Sequence, residues 1–226
     1  MDYILHVYKM HEADMACKLY RNLLQEPWAA TFWGCLFERQ VLAYFNHIGT
    51  THELSIRWLT DSYKMPWTYH GPISLFTFLQ DEIATDEIKN AVEANKSLYL
   101  VPSVSNFPSI DLIIYDLNEV LTYIQITISM THDINVSGLQ HIQKWLKHSM
   151  LVDELCPLKR RQWHFIFIVL LKIAPKFELQ MLKGEGLSTW PRKMDQYVLG
   201  LKEKTIFRMK SKSGTIISEQ GELVRC

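Results

Sequence analysis

Residues 106 to 145 constrain the fold most, because three patterns follow one another there with only short polar connections. Asp111 stands at the head of an apolar run, and Val120 to Ser129 is a second run rich in β-branched residues. The segment from Asn135 to Ser149 then repeats apolar residues at spacings of three and four. This order predicts two strands followed by an amphipathic helix that packs on them.

The second strand has one apolar face and one partly polar face, because side chains alternate along a strand. Its even positions are Val120, Thr122, Ile124, Ile126 and Ile128, all β-branched, which is typical of a buried face. The odd face carries Gln125 and Thr127, an amide and a hydroxyl two positions apart. If the two strands form a hairpin, both side chains lie close to Asp111, so we predict a polar site on this face.

The register of this hairpin decides whether that site can form. Directly opposed residues of an antiparallel pair point to the same face, so a slip of one position moves every side chain to the other side. A two-residue loop would set Asp111 opposite Ile124 on the apolar face, where an unpaired carboxylate is costly. A three-residue loop, or a bulge, sets Asp111 opposite Gln125. We therefore predict the second register, with Glu38 approaching from a helix.

The composition is that of one globular domain. The chain has 226 residues, 48% of them apolar, and a formal net charge of zero, so it can bury one sizeable core. Its four cysteines, at positions 17, 35, 156 and 226, form no closely spaced pair, so we expect reduced thiols of an intracellular protein. No apolar run reaches membrane-helix length and the start lacks a secretory signal pattern, so a soluble protein is expected.

Charge is distributed unevenly along the chain. Residues 1 to 139 hold 8 Lys and Arg against 16 Asp and Glu, whereas residues 140 to 212 hold 15 against 6. A basic region of this kind can contact phosphates, although solvated lysines without a partner are an open alternative. The predicted basic surface, near the Asp111 face, consists of Lys144, Lys147, Lys159, Arg160 and Arg161.

Other elements follow from apolar periodicity and from the positions of Gly and Pro. Helices are predicted over 10 to 25, 31 to 48, 81 to 95 and 135 to 149, and from Pro191 onward. Strands are predicted over 53 to 59, 98 to 101 and 163 to 171, with a strand pair at 206 to 211 and 214 to 219. Residues 61 to 80 are predicted as loop with at most short strands, and 163 to 171 as a central or well-covered strand.

Several phrases resemble the PD-(D/E)xK restriction-endonuclease-like superfamily, and within it the nuclease-like domain of Crinkler effectors and retrotransposon hot spot proteins. They are Gly34 to Glu38 in a helix, Phe107 to Asp111, Gln125 to Thr127 followed by His132 to Ile134, and Gln196 to Leu199. Together they span roughly residues 30 to 200. The resemblance implies an α/β fold with a mixed central sheet flanked by helices, plus an N-terminal helix and a C-terminal extension.

The resemblance also divides the chain into three parts. Residues 1 to 28 would be an N-terminal helical appendage, 29 to 202 the nuclease-like domain and 203 to 226 a tail with a possible hairpin. Crinkler and hot spot proteins often carry an NTPase domain as well, but no phosphate-binding G-x-x-x-x-G-K-[ST] motif occurs here. The chain therefore resembles the nuclease-like part alone, and the expected location is the nucleus.

The resemblance assigns roles to individual residues. Asp111, Glu38 and Gln125 would hold Mg²⁺, with Gln125 standing where the family has an acid and Thr127 where it has a lysine. Asp and Glu are hard oxygen ligands that suit this ion, whereas Gln offers only a neutral carbonyl. A hydroxyl cannot replace an ammonium that stabilises transition-state charge.

Two residues outside the motif could compensate for the missing lysine. Lys144, on the helix that follows, could supply the charge, and His132 could transfer a proton. The simpler readings are a solvated helix lysine for Lys144 and a local hydrogen bond in a turn for His132.

Two functions from different classes follow. The first is a Crinkler-type domain that acts on or binds nucleic acid, with DNA the target that the resemblance implies, as a Mg²⁺-dependent endonuclease with a divergent, weak or inactive site. The second is a protein-interaction module on a degenerate nuclease fold, whose partner is a host or nuclear protein. Binding through phosphates weakens steeply with salt, whereas binding through an apolar protein interface does not.

Overall fold

The computed structural model describes residues 29–46, 50–71, 74–78, 90, 93–94, 97–102, 107–115, 121–148, 155–157, 162–207, 216–217 and 223–224. The helices are α1 (Ala30–Phe45), α2 (Val136–His148) and α3 (Glu203–Phe207). The strands are β1 (Thr51–Trp58), β2 (Lys64–His70), β3 (Ser74–Phe78), β4 (Leu98–Pro102), β5 (Leu112–Tyr115), β6 (Leu121–Ile126), β7 (Ile134–Asn135), β8 (Trp163–Leu170), β9 (Leu182–Lys183), β10 (Met194–Leu201), β11 (Ile216–Ile217) and β12 (Leu223–Val224). The predicted helix at 10 to 25, the appendage at 1 to 28 and nearly all of the acidic helix at 81 to 95 lie outside the described residues.

Ten of the strands form one mixed sheet in the order β12, β11, β1, β10, β8, β6, β5, β4, β3, with β2 on the other side of β1. β8 runs parallel to both neighbours, β6 and β10, while β5 is antiparallel to β6. Seven of the eight β8 residues are buried, as expected for a strand with both faces covered. The prediction of a central strand is therefore confirmed, and so is a mixed α/β fold.

Each face of the sheet is covered by its own apolar cluster. On one face, α1 contributes Trp33, Phe37 and Val41 to a cluster with the even positions of β6. On the other, α2 contributes Leu139, Ile142 and Leu146 to a cluster with Leu121 and Tyr123 of β6. The apolar spacing that predicted these two helices is the spacing of the residues they bury. We call these the α1 face and the α2 face.

The sheet curls around α1. Tyr69 on β2 donates its hydroxyl hydrogen to the carbonyl of Phe45 at 2.9 Å, and Tyr99 on β4 donates to the carbonyl of Leu42 at 2.7 Å. Five strands lie between β2 and β4 in the sheet order, yet both reach the last turn of the same helix. The Tyr69 bond also satisfies the Phe45 carbonyl, which the helix end leaves without an intrahelical partner, whereas the Leu42 carbonyl accepts from the Asn46 N–H as well.

Residues 61 to 80 were predicted as loop with at most short strands, but β2 and β3 occupy most of this range. β2 pairs with β1 along its whole length, including Pro66 opposite Ser55. β2 has no partner on its other side among the described strands. A proline is tolerated on such an outer strand because the ladder can do without its N–H.

Two predictions near the C-terminus are wrong. The helix expected from Pro191 onward is β10, preceded by a 3-10 turn at Leu187–Arg192. Met194, Val198 and Leu201 are buried as predicted, but on a strand whose two faces are both covered, so apolar spacing alone could not distinguish the two structures. The strand expected at 206 to 211 begins in α3, while β11 and β12 do pair as a short hairpin.

Candidate functional site

The β5–β6 register sets Asp111 opposite Gln125. Leu112 pairs with Ile124, and the pairing continues without a break to Tyr115 and Leu121. Extending it by one residue towards the N-terminus brings Asp111 to Gln125. The predicted register is therefore confirmed, and the alternative with Asp111 against Ile124 on the apolar side is not formed.

The Asp111 carboxylate connects the start of β5 to β6 through hydrogen bonds. Its Oδ2 atom accepts hydrogen bonds from the Gln125 amide Nε2 at 2.7 Å and from the Ile126 backbone N–H at 2.6 Å. The Asp111 backbone N–H donates to the Ile124 carbonyl at 2.9 Å. A side chain thus takes over from the backbone ladder just before β5 begins, and it holds the carboxylate beside the carboxyl end of β6.

The electrostatic surroundings of Asp111 disfavour its charge. Burial raises the pKa of this carboxyl to about 7; the Ile126 hydrogen bond opposes the rise and the Glu38 carboxylate adds to it. Burial also raises the pKa of Glu38, with the neighbouring Arg39 acting in the opposite direction. Two carboxyl groups from different elements therefore share one poorly solvated region, as the predicted approach of Glu38 requires.

Gln125 carries an unused acceptor in the same region. The residue is only 6% exposed, and its Oε1 atom is buried without a hydrogen-bond partner. Buried polar atoms are nearly always paired, so such an atom needs an explanation. A proton donor or a cation beside Asp111 would satisfy it.

Thr127 does not join this cluster. Its hydroxyl accepts a hydrogen bond from the Ser129 backbone N–H at 3.1 Å, and its own N–H donates to the Ile168 carbonyl. The hydroxyl therefore stabilises the turn after β6. Among the described residues, no contact joins it to Asp111.

His132 lies in the loop after β6, where its backbone rather than its ring is engaged. Its N–H donates to the Gln180 Oε1 atom at 2.6 Å. Burial lowers the pKa of the imidazole, with Asp133 acting in the opposite direction. No described contact joins the ring to Asp111, and this hydrogen bond is made to a residue 48 positions away rather than within the turn.

No described contact brings Lys144 beside Asp111, and its neighbours on α2 lie towards the other end of β6. Trp145 and Leu146, the next residues on α2, line a small apolar cavity with Leu121 and Tyr115, at the end of β6 remote from Ile126. Leu121 and Ile126 are five positions apart on β6, which corresponds to roughly 17 Å along a strand.

The reason is that α2 runs back along the sheet after β6 ends, to reach the start of β8. The helix carries Lys144 and Lys147 away from the carboxylates. Lys159, Arg160 and Arg161 lie outside the described residues.

Sequence reasoning missed two glutamines that hold the loops around the site. Gln196 on β10 accepts from the Gln180 N–H at 2.9 Å and donates to the Gln180 carbonyl at 3.0 Å. Gln180 in turn accepts from His132, so the loop before β9 is joined to the loop after β6. Gln196 belongs to a phrase that the sequence singled out, but nothing in the sequence pairs it with Gln180.

Arg57 is a third residue of this scaffold. Its guanidinium donates to the carbonyls of Ala174 and Phe177 at 2.7 and 2.6 Å. Through Val198 and Phe167, the strand registers place Arg57 in the same cross-strand row as Gln125. Arg57 therefore holds the turn after β8 close to the cross-strand row that contains Gln125.

Three comparisons bear on this arrangement. No family model, curated protein or solved structure matches the chain. Within the described ranges, no three His, Cys, Asp or Glu side chains converge in a way that could hold a metal ion. In the same part of the chain, no helix is both long and apolar enough to cross a membrane.

Proposed function

We propose that this chain is a nucleic-acid-binding domain of restriction-endonuclease-like ancestry, with a divalent-cation site formed by Asp111, Glu38 and Gln125. The proposal keeps the Crinkler-type interpretation of the sequence, with nuclear DNA as the expected target and Mg²⁺ as the expected ion. The observation that carries it is the Asp111–Gln125 pair in the register that a metal site requires, with Glu38 close enough to act on the Asp111 charge.

The donor atoms suit a hard cation. Asp111 and Glu38 supply carboxylate oxygens whose negative charges repel each other, and Gln125 supplies a buried Oε1 without a partner. Mg²⁺ prefers oxygen ligands and keeps several waters, so two or three protein oxygens are enough to hold it. When bound, the ion would supply Lewis-acid stabilisation of a phosphate oxygen and an activated water.

The site lacks the cationic residue that the nuclease motif uses. Thr127 stands in the lysine position with its hydroxyl engaged by Ser129, and Lys144 lies towards the other end of the sheet. Without a positioned ammonium, transition-state charge is left unstabilised, and losing one such donor typically costs about 10² to 10³ in rate. We therefore expect weak or absent cleavage alongside cation and nucleic-acid binding.

Calorimetric titration of the full chain with Mg²⁺ and Mn²⁺ at pH 8 tests the cation site. We expect binding in the wild type and its loss in Asp111→Asn, which keeps the shape of the side chain. Asp133→Asn is the matched control, since Asp133 pairs with Lys183 instead. Equal binding by wild type and Asp111→Asn would remove the cation site from these residues.

Plasmid cleavage and duplex binding test the rest of the proposal. Wild type should nick plasmid slowly or not at all, and Gln125→Glu combined with Thr127→Lys should raise the rate by restoring one charge of each sign. Duplex binding should weaken with salt, each phosphate contact contributing about 0.9 to the log–log slope. Rapid cleavage that survives Asp111→Ala, or salt-independent binding, would contradict the proposal.

A further inference from the structure

A second group of polar and aromatic side chains lies on the α1 face, where β1 ends and β10 begins. Trp58 is opposite Tyr197 in the β1–β10 register, and their rings stack with centroids 6.5 Å apart. The His164 ring meets the Tyr197 ring edge-on at 5.1 Å. Three aromatic rings from three neighbouring strands therefore meet at this corner of the sheet.

Two carboxylates flank the Tyr197 phenol. Asp195 lies two residues earlier on β10, on the same face, and Asp61 lies in the β1–β2 turn. Burial raises the pKa of Tyr197 to about 12, and the charges of Asp195 and Asp61 both add to the rise. No salt bridge of Asp61 or Asp195 occurs in the described part of the chain. Burial also lowers the pKa of His164, so its ring does not neutralise them at neutral pH.

A buried polar group on the ring stacked against Tyr197 has no partner. The Trp58 Nε1 atom is buried and lacks an acceptor within the described residues, and Tyr197 itself is only 5% exposed. Because buried polar groups are nearly always paired, this exception on a stacked ring indicates a ligand that supplies an acceptor.

The β1–β2 turn beside this group is built under strain. Ser62 has φ of 63°, a left-handed conformation that non-glycine residues rarely adopt. Asp61 stabilises the turn by accepting the Tyr63 N–H at 2.8 Å, and the Tyr63 side chain is left 65% exposed. Strained backbone and an exposed aromatic ring are both more frequent at binding surfaces than elsewhere.

We propose that Asp61, Asp195, Trp58 and Tyr197 bind an arginine side chain of a protein partner. Two carboxylates without a cation of their own call for a positive group, and aromatic rings favour a cation beside them. A planar guanidinium presents five N–H donors in a fixed fork, which suits two carboxylates and a phenol oxygen better than an ammonium does. The Trp58 N–H needs an acceptor, which a peptide carbonyl supplies and a free cation does not.

This site is independent of the Asp111 cluster. Asp195 and His164 lie near the amino ends of β10 and β8, whereas Asp111 lies beside the carboxyl end of β6, and these three strands are parallel. Gln125, moreover, belongs to the α2 face. The arginine site therefore does not rest on the proposed function, and it favours a protein partner in addition to nucleic acid.

Nuclear magnetic resonance of the ¹⁵N-labelled full chain tests the site, with N-acetyl-arginine-methylamide as the probe. The Trp58 indole signal, assigned with Trp58→Phe, should shift on titration. The Trp190 indole, which already has Lys193 over its ring, should not. N-acetyl-citrulline-methylamide has nearly the same shape without the charge, so it should bind at least about tenfold more weakly.

Variants locate the binding on named residues. Asp61→Asn with Asp195→Asn should weaken arginine binding about tenfold or more, and Tyr197→Phe should weaken it while keeping the ring. Asp111→Asn and Asp133→Asn should bind the probe as wild type does. An unmoved Trp58 signal, an equal response to citrulline, or unchanged affinity in a folded double variant would overturn the proposal.

Discussion

The side-chain amide of Gln125 donates a 2.7 Å hydrogen bond to the carboxylate of Asp111, 14 residues earlier in the chain. The contact depends on the register of the β5–β6 hairpin, because a shift of one residue would move Gln125 to the other face. It also depends on Asp111 lying just outside β5, where its carboxylate can reach the Ile126 N–H. A side-chain pair and a backbone ladder thus fix each other at the candidate site.

The Asp111 carboxyl should make stability depend on pH. Its pKa is raised to about 7 in the folded chain from 3.8, so between these values the folded state binds the proton and the unfolded state does not. Folding stability therefore falls as pH rises through this window, by up to about 4 kcal/mol. Asp111→Asn cannot ionise, so it should match wild type near pH 4 and be more stable at pH 8.

Urea unfolding at several pH values measures this difference. Asp133→Asn, which removes an exposed carboxylate paired with Lys183, is measured alongside as the matched control. Wild type and Asp111→Asn with the same pH dependence would show that Asp111 carries no raised pKa.

Gln125→Glu should exchange stability for cation affinity. The substitution replaces the N–H donor to Asp111 with a third carboxyl group near Glu38, and like charges in a poorly solvated site repel. We expect a loss of about 1 to 3 kcal/mol at pH 8 without divalent ions and partial recovery with Mg²⁺. Gln140→Glu on α2 is the control, because the Gln140 amide bonds only an exposed loop carbonyl. No Mg²⁺-dependent recovery would argue against a cation at Gln125.

Gln196→Leu should destabilise the loops around the site. It removes the donor and the acceptor that serve the Gln180 backbone, both in buried surroundings. Leaving such groups unpaired costs about 1 to 3 kcal/mol each. Denaturant unfolding measures the loss, and amide exchange at His132 should quicken because its acceptor is on Gln180. Gln140→Leu should change stability by less than about 0.5 kcal/mol, and an equal effect of the two variants would contradict the scaffold role.

Two helix glycines should respond to alanine in opposite directions. A Cβ at Gly138 on α2 would stand 2.1 Å from the Pro108 carbonyl oxygen, whereas at Gly34 on α1 nothing lies within 4 Å. Gly138→Ala should therefore destabilise the fold by about 1 to 3 kcal/mol through overpacking. Gly34→Ala should stabilise it by about 0.5 to 1 kcal/mol through helix propensity. Thermal unfolding of both variants measures this, and a stabilising Gly138→Ala would mean that α2 does not approach Pro108 this closely.

The hairpin was predictable because a local rule decided it. Alternation along β6 gave two chemically different faces, and the cost of burying a lone carboxylate selected one register for Asp111. Arg57 could not be predicted in this way, because its acceptors, Ala174 and Phe177, lie more than 100 residues away. No short-range pattern encodes such a contact, and the same holds for Gln180 with Gln196.

The failures have a common physical cause. β10 was taken for a helix because a strand covered on both faces shows apolar residues at every spacing, including three and four. For Lys144, the sequence shows which face of α2 it occupies but not where along the sheet α2 leaves it. Direction and distance after a connection are properties of the tertiary structure.

The tyrosine hydroxyls that bind the end of α1 have a consequence for how the molecule comes apart. β2 and β4 are not joined by strand pairing, so the curled sheet is closed through Tyr69, Tyr99 and the helix carbonyls between them. A closure of this kind has no register that can slip, but it depends on one helical turn being folded. If the last turn of α1 unwinds, β2 and β4 lose this shared anchor at once, and the curl of the sheet loses the contacts that close it.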